Sequence, residues 1–251
     1  MRSSFSALLT LTAAVALTSL SATQIVTADG GDSNKIPKVA GTLQTTPPPV
    51  GAEVLFDGTE ASLDKWEPGN KDSKVWPIKN GIWVDTATDL FTKKSYGSCQ
   101  IHLEWRVPAN REVNGQSGGN SGVIFMPKKG WYEVQILESH SNPGTYADGI
   151  AGSIYQHSAP KVNPSLPKGE WQSYDITFTA PKFGEKGEVL AKPKFTVIYN
   201  GVAVQENFEL SGTTLRRGSK LSAHPAKQPI MLQWHKDPIE FRNIWIKDLE
   251  K

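Results

Sequence analysis

Residues 194–207, Lys-Phe-Thr-Val-Ile-Tyr-Asn-Gly-Val-Ala-Val-Gln-Glu-Asn (KFTVIYNGVAVQEN), decide the fold. Two short runs rich in aromatic and β-branched residues, which favour strands, flank the dipeptide Asn200-Gly201. Asn-Gly favours the two-residue turn that joins antiparallel strands, because both turn positions need a positive φ. Asn80-Gly81 separates two further short runs in the same way. The sequence therefore predicts β-hairpins and antiparallel pairing.

Short alternating runs bounded by Gly, Pro and Asn recur after residue 51, whereas helical periodicity is hard to find. The predicted strands are 53–56, 76–78, 81–84, 90–92, 100–107, 121–126, 132–137, 153–155, 172–179, 194–199, 202–207, 230–235 and 240–247. This pattern predicts an all-β sandwich of two packed antiparallel sheets.

The first 28 residues differ in composition from the rest. Arg2 precedes an apolar or small run over 7–20, and Val26-Thr27-Ala28 resembles a cleavage site, so residues 1–28 are predicted to be a signal peptide. The run is shorter than the roughly 20 residues of a membrane span. Residues 29–50 are predicted to be a Pro/Thr-rich linker, and 51–251 a single domain. A secreted or periplasmic location follows.

Composition argues against several classes of function. The net charge of +2, with basic residues spread along the chain, does not suggest nucleic-acid binding. The single Cys99 cannot form an internal disulfide, and a buried, inert thiol is expected there. The histidines lack zinc-site spacing. Asp85, Asp89 and Asp148 are weak calcium candidates, because loop aspartates are more often turn residues. No motif specifies a cofactor or an oligomeric state.

The stretch WYEVQILE, residues 131–138, places acids within a predicted strand. Strand alternation puts Glu133 and Gln135 on the face opposite Tyr132, Val134 and Ile136. A β-bulge after Gln135 is expected to turn Glu138 to the side of Glu133. The resulting acid, amide and acid resemble the E-x-D-x-x-E strand of jelly-roll glycosidases, with Gln135 in place of the central acid. The alternative is an ordinary strand with solvent-facing glutamates.

Other candidates lie near strand ends. The glycines of residues 118–122, GGNSG, permit close approach to a ligand or simply a tight loop. His235 is a candidate acid, base or metal ligand, and Arg242 alternates with core residues. Aromatic residues near the loops suit a groove for sugar rings, although a core role is preferred for Trp83, Trp105 and Trp245. The groove candidates are Trp76, Trp131, Tyr132, Tyr146, Tyr155 and Trp234.

In order along the chain, GNSGVIFM, WYEVQILES, YADGIAGSIYQHSAPKVNPSLPKGEWQSYDITFTAP, YNGVAVQEN and PIEFRNIWIKDLE resemble the 3-keto-disaccharide hydrolase family over nearly all of 51–251. The resemblance implies a secreted, concanavalin A-like jelly-roll sandwich acting on saccharides whose 3-hydroxyl is oxidised to a ketone. A 3-ketone acidifies the C2 proton, so a base and a stabiliser of the enolate oxygen suffice for elimination followed by hydration.

Carried over by position, the resemblance implies roles for individual residues. Glu133 and Glu138 would be the acid/base carboxylates, and His235 and Arg242 candidates to polarise the ketone. The implied substrate-binding residues are Asn120, Gln135, Tyr155, Trp234 and Arg242. Two departures bear on substrate choice: LQWHK at 232–236 has Trp234 where relatives have Asp, and the FMPKKGW loop stands where they often have Arg.

Two alternatives to keto-glycoside cleavage remain at this point. A non-catalytic carbohydrate-binding sandwich is favoured if Glu133 and Glu138 lie apart rather than in one concave pocket. A conventional retaining glycosidase requires two carboxyl groups about 5 Å apart and no ketone.

Overall fold

The computed structural model describes residues 31–250. The predicted signal peptide, 1–28, lies outside the described residues. Among the described residues, no helix has the length and apolarity that crossing a bilayer requires.

Antiparallel strands build the described part of the chain. Their bounds are β1 Glu53–Phe56, β2 Trp66–Pro68, β3 Ile78–Lys79, β4 Ile82–Val84, β5 Leu90–Thr92, β6 Cys99–Arg106, β7 Ser121–Phe125, β8 Tyr132–Ile136, β9 Gln172–Thr179, β10 Lys182–Phe183, β11 Val189–Ala191, β12 Lys194–Tyr199, β13 Val202–Glu209, β14 Met231–Leu232 and β15 Glu240–Asp248. Short 3-10 helices occupy Ser33–Lys35, Glu60–Lys65, Gly115–Ser117 and Ala147–Gly149.

Within residues 31–250 the strands form two principal sheets. The larger, eight-stranded sheet has the order β13-β12-β9-β6-β15-β4-β3, with β1 also paired to β15. The smaller has the order β2-β5-β14-β7-β8, and β10 and β11 form a separate pair. The two principal sheets pack as a jelly-roll sandwich, so the predicted fold class is confirmed.

The core lies between these sheets and is rich in aromatic rings. Phe125 on β7 of the smaller sheet lies 4.7 Å, between ring centroids, from Phe178 on β9 of the larger. The Tyr174 hydroxyl donates a 2.7 Å hydrogen bond across the core to the Gln135 carbonyl oxygen. Each fully buried large apolar side chain contributes roughly 1.5–3 kcal/mol. Cys99 is buried in this core, as the sequence predicted.

Both predicted Asn-Gly hairpins are confirmed. Asn200 and Gly201 have φ of 47° and 78° between β12 and β13, and Asn80 and Gly81 have φ of 52° and 75° between β3 and β4. Positive φ at both turn positions matches the right-handed twist of the flanking strands.

Several strand predictions were wrong. Ile154 of the predicted strand 153–155 forms only isolated bridges, to Val134 and Ser158. The predicted strand 230–235 shortens to β14, and β2, β10 and β11 were missed. These segments are two or three residues long, and so short a run has too little alternation to identify a strand.

The described part of the predicted linker, residues 31–50, packs on the sandwich. The Thr42 N–H donates to the Asn200 carbonyl (2.9 Å), and the Gln44 N–H to the Ser173 hydroxyl (3.0 Å). The Trp245 indole N–H donates to the Thr46 carbonyl (2.9 Å). A chain with few large side chains can therefore be held by its backbone groups, which composition does not reveal.

Candidate functional site

A cleft of about 180 Å³ lies on the outer face of the smaller sheet. It is lined by Asn120, Trp131, Glu133, Gln135, Tyr155, Thr214, Leu215, Gln233 and His235. Five of the residues predicted to act on or bind a substrate thus come together. Pockets for drug-sized ligands have volumes of roughly 300–1,000 Å³. The cleft is smaller than these pockets and suits a single sugar ring.

Glu133, on β8, is the carboxylate of this cleft. Its side chain points away from the core because it alternates with Tyr132 and Val134, which pack between the sheets. Glu133 is only 4% exposed, and burial raises its pKa to about 8, although a hydrogen bond from the Trp131 side chain partly opposes the shift. A carboxyl group with such a pKa can accept and return a proton near neutral pH.

Gly122, on the neighbouring β7, provides the space for this carboxyl group. A Cβ added at Gly122 would lie 2.7 Å from Glu133 Oε1, well inside van der Waals contact. The sequence indicated the glycine-rich stretch as a loop or a site of close approach, and the structure shows that its last glycine accommodates a side chain of the same sheet.

Gln135 and Tyr155 add polar groups beside Glu133. The Gln135 Oε1 atom is buried and has no hydrogen-bond partner within residues 31–250. A buried acceptor without a partner costs free energy unless a ligand or water pairs with it. The Tyr155 hydroxyl lies 2.6 Å from the Tyr146 hydroxyl, and burial raises the Tyr155 pKa. Tyr155 therefore remains a neutral O–H group.

Asn120 is held in the cleft by a residue that the sequence did not single out. Asp237 Oδ2 accepts hydrogen bonds from the Gly119 and Asn120 backbone N–H groups, at 2.9 and 3.0 Å. Arg111 Nε lies 2.6 Å from the other oxygen of Asp237. Asp237 follows exposed, charged residues, and nothing in its sequence context signals that it is buried. Its contacts make it a positioning residue for the loop before β7.

Glu138 lies outside the cleft, contrary to the prediction. The β7–β8 register runs without a shift through Ile136, where β8 ends, so the expected bulge is absent from this described pair. Glu138 Oε1 instead accepts hydrogen bonds from the His140 and Ser141 backbone N–H groups, both at 3.0 Å. The carboxylate therefore orders the loop that follows the strand, where free N–H groups need an acceptor.

Arg242 and Trp234 also lie elsewhere. Arg242, on β15 of the larger sheet, donates from Nε to Glu104 Oε2 at 2.6 Å, and its guanidinium lies 4.1 Å from the centroid of the Trp171 ring. Trp234 packs partly against the core, and its backbone N–H donates to Asp89 at 2.8 Å. Neither side chain lines the cleft: Arg242 belongs to the larger sheet, and Trp234 lies between two residues, Gln233 and His235, that do line it.

The calcium candidates do not form a ligand set. Arg217 forms an ion pair with Asp148 at 2.6 Å. Asp85 is buried, and burial, followed by the charges of Asp89 and Asp237, raises its pKa to about 9. Across residues 31–250 no group of three or more His, Cys, Asp or Glu side chains is arranged to hold a metal ion.

Comparisons with known proteins agree with this architecture. A crystal structure of a candidate glycosyl hydrolase from Parabacteroides distasonis ATCC 8503 matches with 38% sequence identity and a TM-score of 0.75, covering 85% of this chain and 92% of that one. Two further candidate glycosyl hydrolases from the same organism, at 21% and 23% identity and TM-scores of 0.56, share the fold. They cover 80% and 79% of this chain, and 95% and 99% of their own. A search of curated proteins found no match.

The family comparison covers the whole sandwich. The model of the 3-keto-alpha-glucoside-1,2-lyase-like domain matches residues 51–247, which includes every residue of the cleft. The family resemblance seen in the sequence is confirmed, and the chain belongs to the 3-keto-alpha-glucoside-1,2-lyase-like family.

Proposed function

We propose that this protein cleaves 3-keto-glycosides by elimination, with Glu133 as the base. The observation that carries the proposal is a buried carboxyl group with a pKa of about 8 in a cleft of the size of one sugar ring. The family description and the glycosyl hydrolase relative support a carbohydrate substrate.

In the first step the Glu133 carboxylate removes the C2 proton of the sugar. The electrons of the C–H bond form the C2–C3 double bond of an enolate, whose negative charge lies on the former ketone oxygen. The His235 imidazole and the Tyr155 hydroxyl are the donors for this oxygen, as electrostatic stabilisation of an enolate requires.

In the second step the enolate re-forms the ketone and expels the C1 substituent, leaving a C1–C2 double bond. The departing oxygen takes a proton from a donor of the cleft, so the leaving group is released as a neutral alcohol or phenol. Water then adds at C1, and C2 regains a proton, so the products are the free 3-keto-sugar and the alcohol. Gln135 Oε1 is the acceptor for a sugar hydroxyl that fixes the ring.

The number of carboxylates in the cleft supports elimination over conventional glycoside hydrolysis. Retaining and inverting glycosidases commonly use two carboxyl groups on either side of the scissile bond. Among the described residues, Glu133 is the only Asp or Glu that lines the cleft, because Glu138 is engaged in its own loop. One base is enough when a ketone acidifies the neighbouring C–H bond.

The position of Glu138 also favours a second candidate, a non-catalytic sugar-binding protein. Separated glutamates were the feature expected of a binding sandwich, and a cleft with an unpaired amide oxygen can bind a sugar without reacting with it. The raised pKa of Glu133 argues for catalysis, since sugar binding alone gains little from burying an acid.

The test is the release of nitrophenol from two nitrophenyl glucosides by the purified protein, one with an intact 3-hydroxyl and one with a 3-ketone. Release from the ketone alone, unchanged by a chelator, is the expected result. Release from the intact glucoside would favour a conventional glycosidase and overturn the proposal. Release from neither, with saturable binding by calorimetry, would favour the binding protein.

A further inference from the structure

An exposed leucine lies at the mouth of the cleft. Leu215 lines the cleft and is nevertheless 67% exposed. Single exposed leucines are common on protein surfaces, so exposure alone means little. Leu215 differs because a rigid loop presents it beside a site that holds a buried carboxyl group.

The loop that carries Leu215 is fixed on both sides. The neighbouring Thr214 is fully buried, and both its backbone N–H and its hydroxyl donate to the Trp131 carbonyl oxygen at 2.8 Å. On the other side, the Arg217 N–H donates to Gln156 Oε1 at 3.1 Å, and the Arg217 guanidinium pairs with Asp148. Leu215 therefore projects from an anchored backbone and not from a loosely held one.

Trp131, the second apolar residue of the rim, is held in an unfavourable backbone conformation. Its φ is 54°, in the left-handed region that bulky residues rarely adopt. The Trp131 N–H donates to the Met126 carbonyl at 2.7 Å, and Thr214 binds its carbonyl oxygen. Backbone strain of this kind is concentrated at ligand-binding sites. The structure thus holds Trp131 and Leu215 together at one mouth.

The size of the cleft determines what meets this rim. About 180 Å³ accommodates one sugar ring, so with that ring beside Glu133 the group attached to C1 extends toward the open mouth of the cleft. The side chain of Leu215 offers that group no hydrogen-bond donor or acceptor. A second sugar would pack a C–H face on the Trp131 ring but would leave hydroxyls against Leu215, whereas an aryl or alkyl group would bury the leucine as well.

We propose that Leu215 and Trp131 form a leaving-group subsite that selects glycosides with an apolar aryl or alkyl aglycone over disaccharides. The proposal rests on the proposed cleavage of 3-keto-glycosides, and it names the substrate class of that same cleft.

The test compares benzyl and methyl 3-keto-glucosides in the full chain and in the Leu215→Ser variant. The variant is expected to lose about tenfold in kcat/KM for the benzyl compound, since part of a leucine-sized contact is removed, and less than twofold for the methyl compound. Leu190→Ser is the matched control, because Leu190 is 66% exposed, lies on β11 and lines no part of the cleft. It should change neither value.

Calorimetric binding of the same two glucosides separates the subsite from the chemistry. If the wild-type protein cleaves neither compound, the proposed function fails, while a benzyl preference in binding that Leu215→Ser abolishes still supports the subsite. Equal losses for benzyl and methyl compounds in the Leu215→Ser variant, or no loss for either, would overturn the subsite whatever the rate of cleavage.

Discussion

Glu133 lies on β8 of the smaller sheet and Glu104 on β6 of the larger sheet, and the groups around the two carboxylates differ. Each is a buried glutamate on a strand, and for each burial by itself raises the pKa. His102 Nε2 lies 3.8 Å from Glu104 Oε1, and Glu104 receives hydrogen bonds from Asn243 at 2.9 Å and Arg242 at 2.6 Å. These partners lower the Glu104 pKa to about 2, whereas that of Glu133 stays at about 8.

The difference separates a charge paired within the fold from the carboxyl group that we propose as the base. Glu104 belongs to a polar layer in which His102 also contacts Asp175 at 3.0 Å, so each charge has a partner. The described residues give Glu133 no ion pair, and its carboxyl group faces a cleft instead. A buried acid in a cleft without an ion-pair partner is a feature typical of functional sites.

Replacing Glu133 by glutamine should have the largest effect of the changes considered. We expect a fall in kcat on a 3-keto-glycoside of about 10²–10⁴-fold, the usual contribution of a general base. The free energy of unfolding should be unchanged or higher, because an amide does not carry the cost of ionisation. Steady-state kinetics measure kcat, and urea unfolding measures the free energy of unfolding. Retained turnover would show that another group is the base.

Replacing Glu104 by glutamine should give the opposite result. Removing one partner of a buried ion pair costs about 3–5 kcal/mol in other proteins, and the Arg242 and His102 groups would lose the negative charge that pairs with them. We expect a loss of unfolding free energy toward the lower end, about 3 kcal/mol, because Arg242 is partly exposed. The kcat of correctly folded protein should change little. A large kcat loss with unchanged stability would contradict the division of roles.

The contributions of the two glutamates to the free energy of unfolding should change with pH in opposite directions. The raised pKa of Glu133 means that its contribution to stability is complete below about pH 4.5 and is lost as pH rises to about 8. The lowered pKa of Glu104 means that its contribution is present above about pH 4.5 and is lost toward pH 2. Activity should rise with pH to a plateau above about pH 8, because the Glu133 carboxylate is the proposed base.

Asp85 has a pKa raised in the same direction as Glu133, so wild-type stability alone cannot isolate either group. The unfolding free energy of the wild-type protein minus that of Glu133→Gln, measured between pH 5 and 9, isolates the Glu133 contribution. A difference that does not fall with pH would mean that Glu133 ionises normally.

Substituting Gly122 by alanine should have the smallest of these effects. The added Cβ would approach the flexible end of Glu133 and not backbone, so the carboxyl group moves and the sheet does not. We expect roughly a tenfold loss of kcat, as small misplacements of reacting groups cost up to about 10²-fold. Unfolding free energy should change by less than about 1 kcal/mol. Gly184→Ala is the control, because its added Cβ would likewise approach the flexible end of a glutamate, Glu188, and Gly184 lines no part of the cleft.

The hairpins, the alternating strands and the sandwich followed from the sequence because they depend on neighbouring residues. Asn200-Gly201 encodes its turn through the positive φ of two residues, and WYEVQILE encodes the faces of β8 through a two-residue period. The placement of Glu133 and Gln135 on one outward face was therefore predictable, as was the family from its ordered motifs.

Only the tertiary structure decided which polar residues share a site. Glu138 and Arg242 have the residue types that the chemistry needs, yet one caps a loop and the other pairs with Glu104 on the opposite sheet. Asp237 shapes the cleft without any local signal, and the glycine-rich stretch did not reveal that Gly122 makes room for Glu133, because both residues act on other segments of the chain. Strand pattern is a local property, whereas burial, charge pairing and the meeting of loops depend on contacts between distant segments.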